Sequence, residues 1–290
     1  MARKVALAEP HGFCSGVRHA ISLAEEAVEG SNVPVYCLNE LVHNRLVVDR
    51  LAAAGMVFVK DVDEVPEGGT LLFSAHGVSP GVRAKAAKRS LRVIDATCVF
   101  VKMVHEAVRR NAAEGRSVLL VGSARHDEVV GVAGEAPSSV IIVESEADAE
   151  TVEVPDPSMV ALLMQTTLAE HQVRPIVDIL RRRFPEMRIP DKSGICAATT
   201  VRQRAVREIA ASSDVVVILG SRNSANSNRL VEVARDGGAK AILVEDIDSL
   251  RALVAGGGIP PDASVGLSAG ASTPEYVVDE ALSILSETGR

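Results

Sequence analysis

Two rhythms of apolar and polar positions alternate along the chain. Compact runs rich in Val, Ile and Leu occur at 5–8, 33–38, 56–59, 70–74, 92–94, 117–122, 140–143, 160–165, 215–219, 241–244 and 265–267, and they predict strands. Between most of them apolar residues recur at helical spacing, predicting helices over 16–28, 44–54, 80–89, 99–113, 168–184, 198–211, 225–236, 247–253 and 274–286. In the first helix Val17, Ala20, Ile21, Ala24 and Val28 make one apolar face. Thr273-Pro274-Glu275 supplies a capping hydroxyl, a first-turn proline and a carboxylate near the positive helix end. Alternation of this kind predicts an α/β fold of parallel sheets with helices packed outside.

The layout also looks threefold. Cys14, Cys98 and Cys196 mark off intervals that hold similar sets of elements, each fitting a small α/β module. Modules are expected at 1–97, 98–195 and 196–290. The repeat lies in the order of elements, while residue identity between modules is weak. Connectors bearing Pro or Gly fall at 64–69, 151–158 and 255–261.

Composition narrows the function classes. The 290 residues include no Trp and only 2% aromatics, so aliphatic side chains must build the core. A net charge of −7 argues against nucleic acid as the partner, since a basic excess and stacking aromatics are both missing. No apolar run approaches the roughly 18 to 20 residues of a membrane span. Met1-Ala2-Arg3-Lys4 leads straight into a strand pattern without a signal-peptide block, so a cytoplasmic location is expected. In that setting the four cysteines are expected to be reduced, with metal binding or catalysis favoured over bridging.

Most strand patterns end in a polar cluster, and parallel strands present such ends on one side of a sheet. Asp95-Ala96-Thr97-Cys98 follows one strand, and Cys14 and Cys196 also stand just before helical patterns. Three thiolates suit a soft metal or an iron–sulfur centre, although no C-x-x-C pair occurs and spacing alone also fits three buried small hydrophobes. Cys37 lies inside a strand pattern and reads as core. His43 and His76 stand at junctions where a loop histidine in a routine hydrogen bond is the ordinary reading. With the Ser- and Asn-rich run 221–228 they also suit an anion held by hydroxyls, amides, imidazoles and helix N-termini. That run equally suits a plain turn and helix cap. No Walker loop or G-x-G-x-x-G occurs. His126 and Glu128 enter a helix; Glu128 suits either a helix-dipole partner or a proton donor, with Thr166 passing a proton along.

Taken in order, these pieces resemble the LytB/IspH family, the 4-hydroxy-3-methylbut-2-enyl diphosphate reductases of the non-mevalonate (MEP) isoprenoid pathway. The matching stretches are Gly12-Phe13-Cys14-Ser15-Gly16-Val17, Leu41-Val42-His43-Asn44-Arg45, Phe73-Ser74-Ala75-His76-Gly77-Val78, Asp95-Ala96-Thr97-Cys98, His126-Asp127-Glu128-Val129, Gln165-Thr166-Thr167-Leu168, Ile195-Cys196-Ala197-Ala198-Thr199-Thr200 with Arg202-Gln203, the run from Gly220 to Arg229, and Ala269-Gly270-Ala271-Ser272. The resemblance implies a trefoil of three α/β modules around a central cavity bearing a [4Fe–4S] cluster. Cys14, Cys98 and Cys196 would be its ligands, leaving one iron open to the substrate hydroxyl. It implies diphosphate ligands at His43, His76, His126, Ser224, Asn226 and Ser272. Glu128 becomes the proton donor, with Thr166 and His126 beside it. It also implies ferredoxin or flavodoxin as electron donor, and isopentenyl and dimethylallyl diphosphate as products.

The chain departs from the family pattern at three positions. Ala225 replaces a usual serine, which puts one diphosphate hydrogen bond in doubt. Asp127 and Val99 replace usual prolines, which puts loop rigidity in doubt. The rival reading is a zinc-dependent hydrolase or a non-catalytic diphosphate-binding protein using the same side chains.

Overall fold

The computed structural model describes residues 4–189 and 194–287; Met1, Ala2 and Arg3, named above, lie outside the described residues. The described strands form three sheets, every pairing parallel. β1 (Val5–Leu7) opens the chain. β2 (Val35–Leu38), β3 (Met56–Val59), β4 (Thr70–Phe73) and β5 (Arg92–Asp95) make a sheet of order β3-β2-β4-β5. β6 (Ser117–Val121), β7 (Val140–Val143) and β8 (Val160–Met164) make one of order β7-β6-β8. β9 (Val215–Leu219), β10 (Lys240–Val244) and β11 (Val265–Ala269) run β10-β9-β11, and β1 joins beyond β11 with Leu7 opposite Leu267.

Each sheet repeats one plan. The chain leaves a central strand, adds a neighbour on one side, then returns to the other side. The fourth position, outside the returning strand, is filled by β5 beside β4 and by β1 beside β11. In the third sheet the same place is marked by a lone parallel bridge from Arg188 to Ala161 of β8. The fourth position leads to Cys98 after β5 and to Cys14 after β1, so in those two sheets the cysteine closes a module rather than opening the next.

The strict division at 1–97, 98–195 and 196–290 therefore needs correction at the N-terminus. β1 leaves residues 1–97 for the sheet of the last module. The reason is local and simple: pairing covers the edge of β11, and Val5 and Leu7 pack against a core that includes Val265, Leu267 and Val277. Contacts divide the chain into two compact units. One is Met1–Val17, Val42–Arg50 and Ala197–Arg290, with the β1-β11-β9-β10 sheet. The other is Arg18–Leu41 and Leu51–Cys196, with the other two sheets.

The helices are α1 (Ser15–Glu29), α2 (Arg45–Ala53), α3 (Pro80–Lys88), α4 (Val99–Ala113), α5 (Asp127–Ala133), α6 (Glu146–Thr151), α7 (Glu170–Arg183), α8 (Ala197–Ala210), α9 (Ala225–Asp236), α10 (Ile247–Ala255) and α11 (Glu275–Glu287). α6 and a 3₁₀ turn at Val62–Glu64 go beyond the expected elements. Both start with a capping box, Ser145 with Asp148 and Asp61 with Glu64, a signature present in the sequence. β8, β9 and β11 are buried at every residue, which is why they read as continuous apolar runs rather than alternating ones. Among the described residues no helix is long and apolar enough to cross a membrane.

In open parallel sheets ligands bind beyond the strand carboxyl ends where the strand order reverses. Here those points lie between β2 and β4, between β6 and β8, and between β9 and β11. The loop after β4 carries His76. The loops after β6 and β8 carry His126 and Thr166. Those after β9 and β11 carry Ser224 and Ser272.

Candidate functional site

The unit built on β1, β9, β10 and β11 brings together Cys14, His43, Ser224, Asn226 and Ser272. The Cys14 amide donates to the Ala271 carbonyl (3.1 Å), fixing the cysteine beside the loop of Ser272. Its Sγ accepts the Val17 amide (3.4 Å) at the start of α1. Arg202 is buried and donates to the Gly12 carbonyl (2.8 Å), holding the turn that precedes Cys14. The Ser272 hydroxyl donates to the His43 carbonyl (3.1 Å), joining two of the expected ligands. Ser224 caps α9, its hydroxyl accepting from the Ser227 amide (3.3 Å). Two residues on, in the first turn of α9, Asn226 is 5% exposed, and neither its Oδ1 nor its Nδ2 has a hydrogen-bond partner. A buried amide with both ends unsatisfied is costly unless something binds there.

The other unit assembles Cys98, His76, His126, Glu128, Thr166 and Cys196. The Cys98 amide donates to the Ala75 carbonyl (3.0 Å), the residue before His76. The His76 and His126 rings stand edge to face, centroids 5.8 Å apart. His126 caps α5: its Nδ1 accepts the Glu128 amide (3.2 Å), which leaves the ring proton on Nε2. Glu128 is 2% exposed. The Thr166 amide donates to its Oε1 (2.7 Å), and the Thr166 hydroxyl bonds its Oε2 (2.7 Å). Burial pushes the Glu128 carboxyl up to about 7, against the pull of the two Thr166 bonds. The Thr166 carbonyl in turn accepts the Cys196 amide (3.1 Å). Gly194 makes this approach possible: at φ +133, a Cβ there would overlap the Met164 carbonyl. So Cys196 arrives by a glycine-dependent loop.

The cysteines separate into two kinds, and none is in a disulfide. Cys14, Cys98 and Cys196 are half-buried, and each stands immediately before a helix, at α1, α4 and α8. The exposed N–H groups of a helix start favour an anion such as a thiolate ligand. Cys37 is wholly buried in β2, and burial pushes its thiol up to about 12. By chemistry and exposure each of the first three suits ligation of a soft metal, whereas the buried Cys37 thiol suits a core position.

Two further residues organise the loops. Gln165 is buried; its Oε1 accepts the Ser123 amide (3.1 Å) and its Nε2 donates to Thr167 (2.9 Å), tying the loops after β6 and β8 together. Its sequence signal is a lone amide at the end of an all-apolar strand, and Arg202 has a comparable one as a cation on the buried face of α8. The unusual residues leave the helices intact. Asp127 opens α5 with a carboxylate at the positive end, and Val99 opens α4 with Cys98 as the capping residue.

A family model described as LytB protein matches residues 5–286. The 4-hydroxy-3-methylbut-2-enyl diphosphate reductase of Acidothermus cellulolyticus is 48% identical over 99% of this chain and 84% of its own length. The enzyme of that name from Mycolicibacterium paratuberculosis is 47% identical over 99% of this chain and 86% of its own. The solved structure of the E-1-hydroxy-2-methyl-but-2-enyl-4-diphosphate reductase from Plasmodium falciparum superimposes with a TM-score of 0.92 at 33% identity, covering 98% of this chain and 88% of that one.

Proposed function

This chain belongs to the LytB protein family, and from that premise we propose that it reductively dehydroxylates 4-hydroxy-3-methylbut-2-enyl diphosphate to isopentenyl and dimethylallyl diphosphate. LytB proteins are iron–sulfur enzymes. Cys14, Cys98 and Cys196 would hold a [4Fe–4S] cluster, with three α/β modules arranged as a trefoil around it. When bound, the cluster supplies single electrons and a Lewis-acidic iron at its fourth corner. Ferredoxin or flavodoxin would deliver the electrons.

The chain's own residues supply anchorage and protons. His43, His76, His126, Ser224, Asn226 and Ser272 would anchor the diphosphate, fixing the hydroxymethyl arm by charge-assisted hydrogen bonds. Glu128 holds a proton at the oxygen facing the Thr166 hydroxyl. Thr166 accepts that proton while giving its own to the departing hydroxyl, which leaves as water. Overall, two electrons and two protons replace the C–O bond with a C–H bond.

The observation that carries this reading is the Glu128–Thr166 pair: a buried carboxyl held near neutrality, hydrogen-bonded to the residue whose carbonyl carries the Cys196 amide. The direct test gives anaerobically purified protein the substrate and a one-electron reductant, then measures both products and water release. Free diphosphate and an unreduced alcohol as products, from a colourless zinc-containing protein, would favour the hydrolase.

Asn226 gives a quantitative test of the anchorage. Asn226→Ala should raise KM about 10- to 100-fold with little change in kcat, as expected for about 1.5–3 kcal/mol from hydrogen bonds to a charged group. An unchanged KM in steady-state assays would remove Asn226 from the diphosphate site.

A further inference from the structure

α4 and the turn that follows α5 share a buried histidine–carboxylate pair that the reaction as described does not use. His105 of α4 is 4% exposed, and its Nδ1 lies 2.6 Å from Glu135 Oε1. The Glu135 side chain is equally buried, and its other oxygen meets Arg109 at 3.0 Å. Burial lowers the His105 pKa, with Glu135 acting against that shift. The far nitrogen, Nε2, is buried without a hydrogen-bond partner.

What faces Nε2 is Gly77, the residue after His76. A Cβ on Gly77 would lie 2.8 Å from Nε2, 3.1 Å from Thr97 Cγ2 and 3.3 Å from Val101 Cγ1. Gly77 also has φ +77, in the left-handed region that favours glycine. Across the turn, a Cβ on Gly131 of α5 would lie 3.3 Å from the Gly77 carbonyl oxygen. The turn bearing His76 is therefore gripped between the His105 ring and α5. The two helices that grip it also carry Cys98, at the cap of α4, and Glu128, in the first turn of α5.

We infer that His105, held by Glu135, is a positioning residue for His76. Its ring forms the floor of the Gly77 turn and so sets His76 edge-on to His126. This rests on the proposed assignment of both histidines to the diphosphate. The role differs from core filling because it acts on ligand affinity rather than on stability alone.

The test uses anaerobically purified, cluster-loaded protein and inorganic diphosphate as probe. His105→Asn keeps a nitrogen where Nδ1 met Glu135 but deletes the ring edge against Gly77. The diphosphate Kd from calorimetry and the substrate KM should each rise about tenfold, with kcat within about threefold of wild type. Iron content should not change. Glu135→Gln should shift the same two constants in the same direction by about threefold, and it decides the matter if His105→Asn does not fold. Unchanged Kd and KM in the folded variant, whatever its Tm, would overturn the positioning role while leaving the diphosphate assignment standing. Wild-type protein that fails to bind diphosphate would overturn both.

Discussion

Glu128→Gln is expected to lower kcat by about 10²- to 10⁴-fold while iron content and diphosphate affinity stay at wild-type values. The amide keeps the shape of the carboxyl and can still bond Thr166, but it cannot give up a proton. Because burial raises the wild-type carboxyl from 4.5 to about 7, it is protonated below that pH and ionised above it. Wild-type kcat should therefore fall as pH rises through about 7, and the small residual rate of the variant should lack that limb.

Stability should carry the same signature. The unfolded chain sheds this proton near 4.5 and the folded protein only near 7, so the contribution is complete below 4.5 and is lost as pH rises through about 7. The loss is on the order of 3 kcal/mol, and urea titrations of Glu128→Gln across that window should be flatter by a comparable amount. Near-normal turnover by Glu128→Gln would remove Glu128 from the proton path.

The cysteine series should show the other large effect. Cys14→Ser, Cys98→Ser and Cys196→Ser should each lose most bound iron and essentially all turnover, since serine is a hard oxygen donor and the site wants thiolates. Cys37→Ser should keep its iron. It places a hydroxyl in a fully buried strand position, so a destabilisation of about 1–3 kcal/mol is expected instead. Iron and sulfide assays beside thermal melts separate the two outcomes. Loss of iron from a folded Cys37→Ser protein would overturn the ligand assignment.

Local pattern carried most of the fold. Runs such as Val215–Leu219 and Val160–Met164 were legible because strands buried on both faces are apolar throughout. What escaped was set by partners distant in sequence. β1 looks like the first strand of a first module, and nothing within Val5–Leu7 says that its partner is β11. α6 is too short for a helical period, though its capping box was there to be read.

The site divides the same way. Residue type and junction position leave Glu128 open between a helix-dipole partner and a proton donor, and the family resemblance alone assigns it the proton; its direct contact with Thr166 spans strands and appears only in the structure. Cys14, Cys98 and Cys196 share a place before helical patterns and Cys37 reads as core inside a strand pattern, a difference their burial repeats. His105 reads from sequence as an ordinary helix residue, because its meaning comes from Gly77 and Glu135, which lie in other elements.

The central claim is that thiolates from separate modules hold one inorganic centre with an unlike fourth corner. Mössbauer spectra of anaerobic, iron-57-enriched protein test it most directly. The account predicts about four irons per chain, one of them distinct from the rest and changed when substrate is added. Iron that is spectroscopically uniform and indifferent to substrate, or zinc in its place, would contradict it.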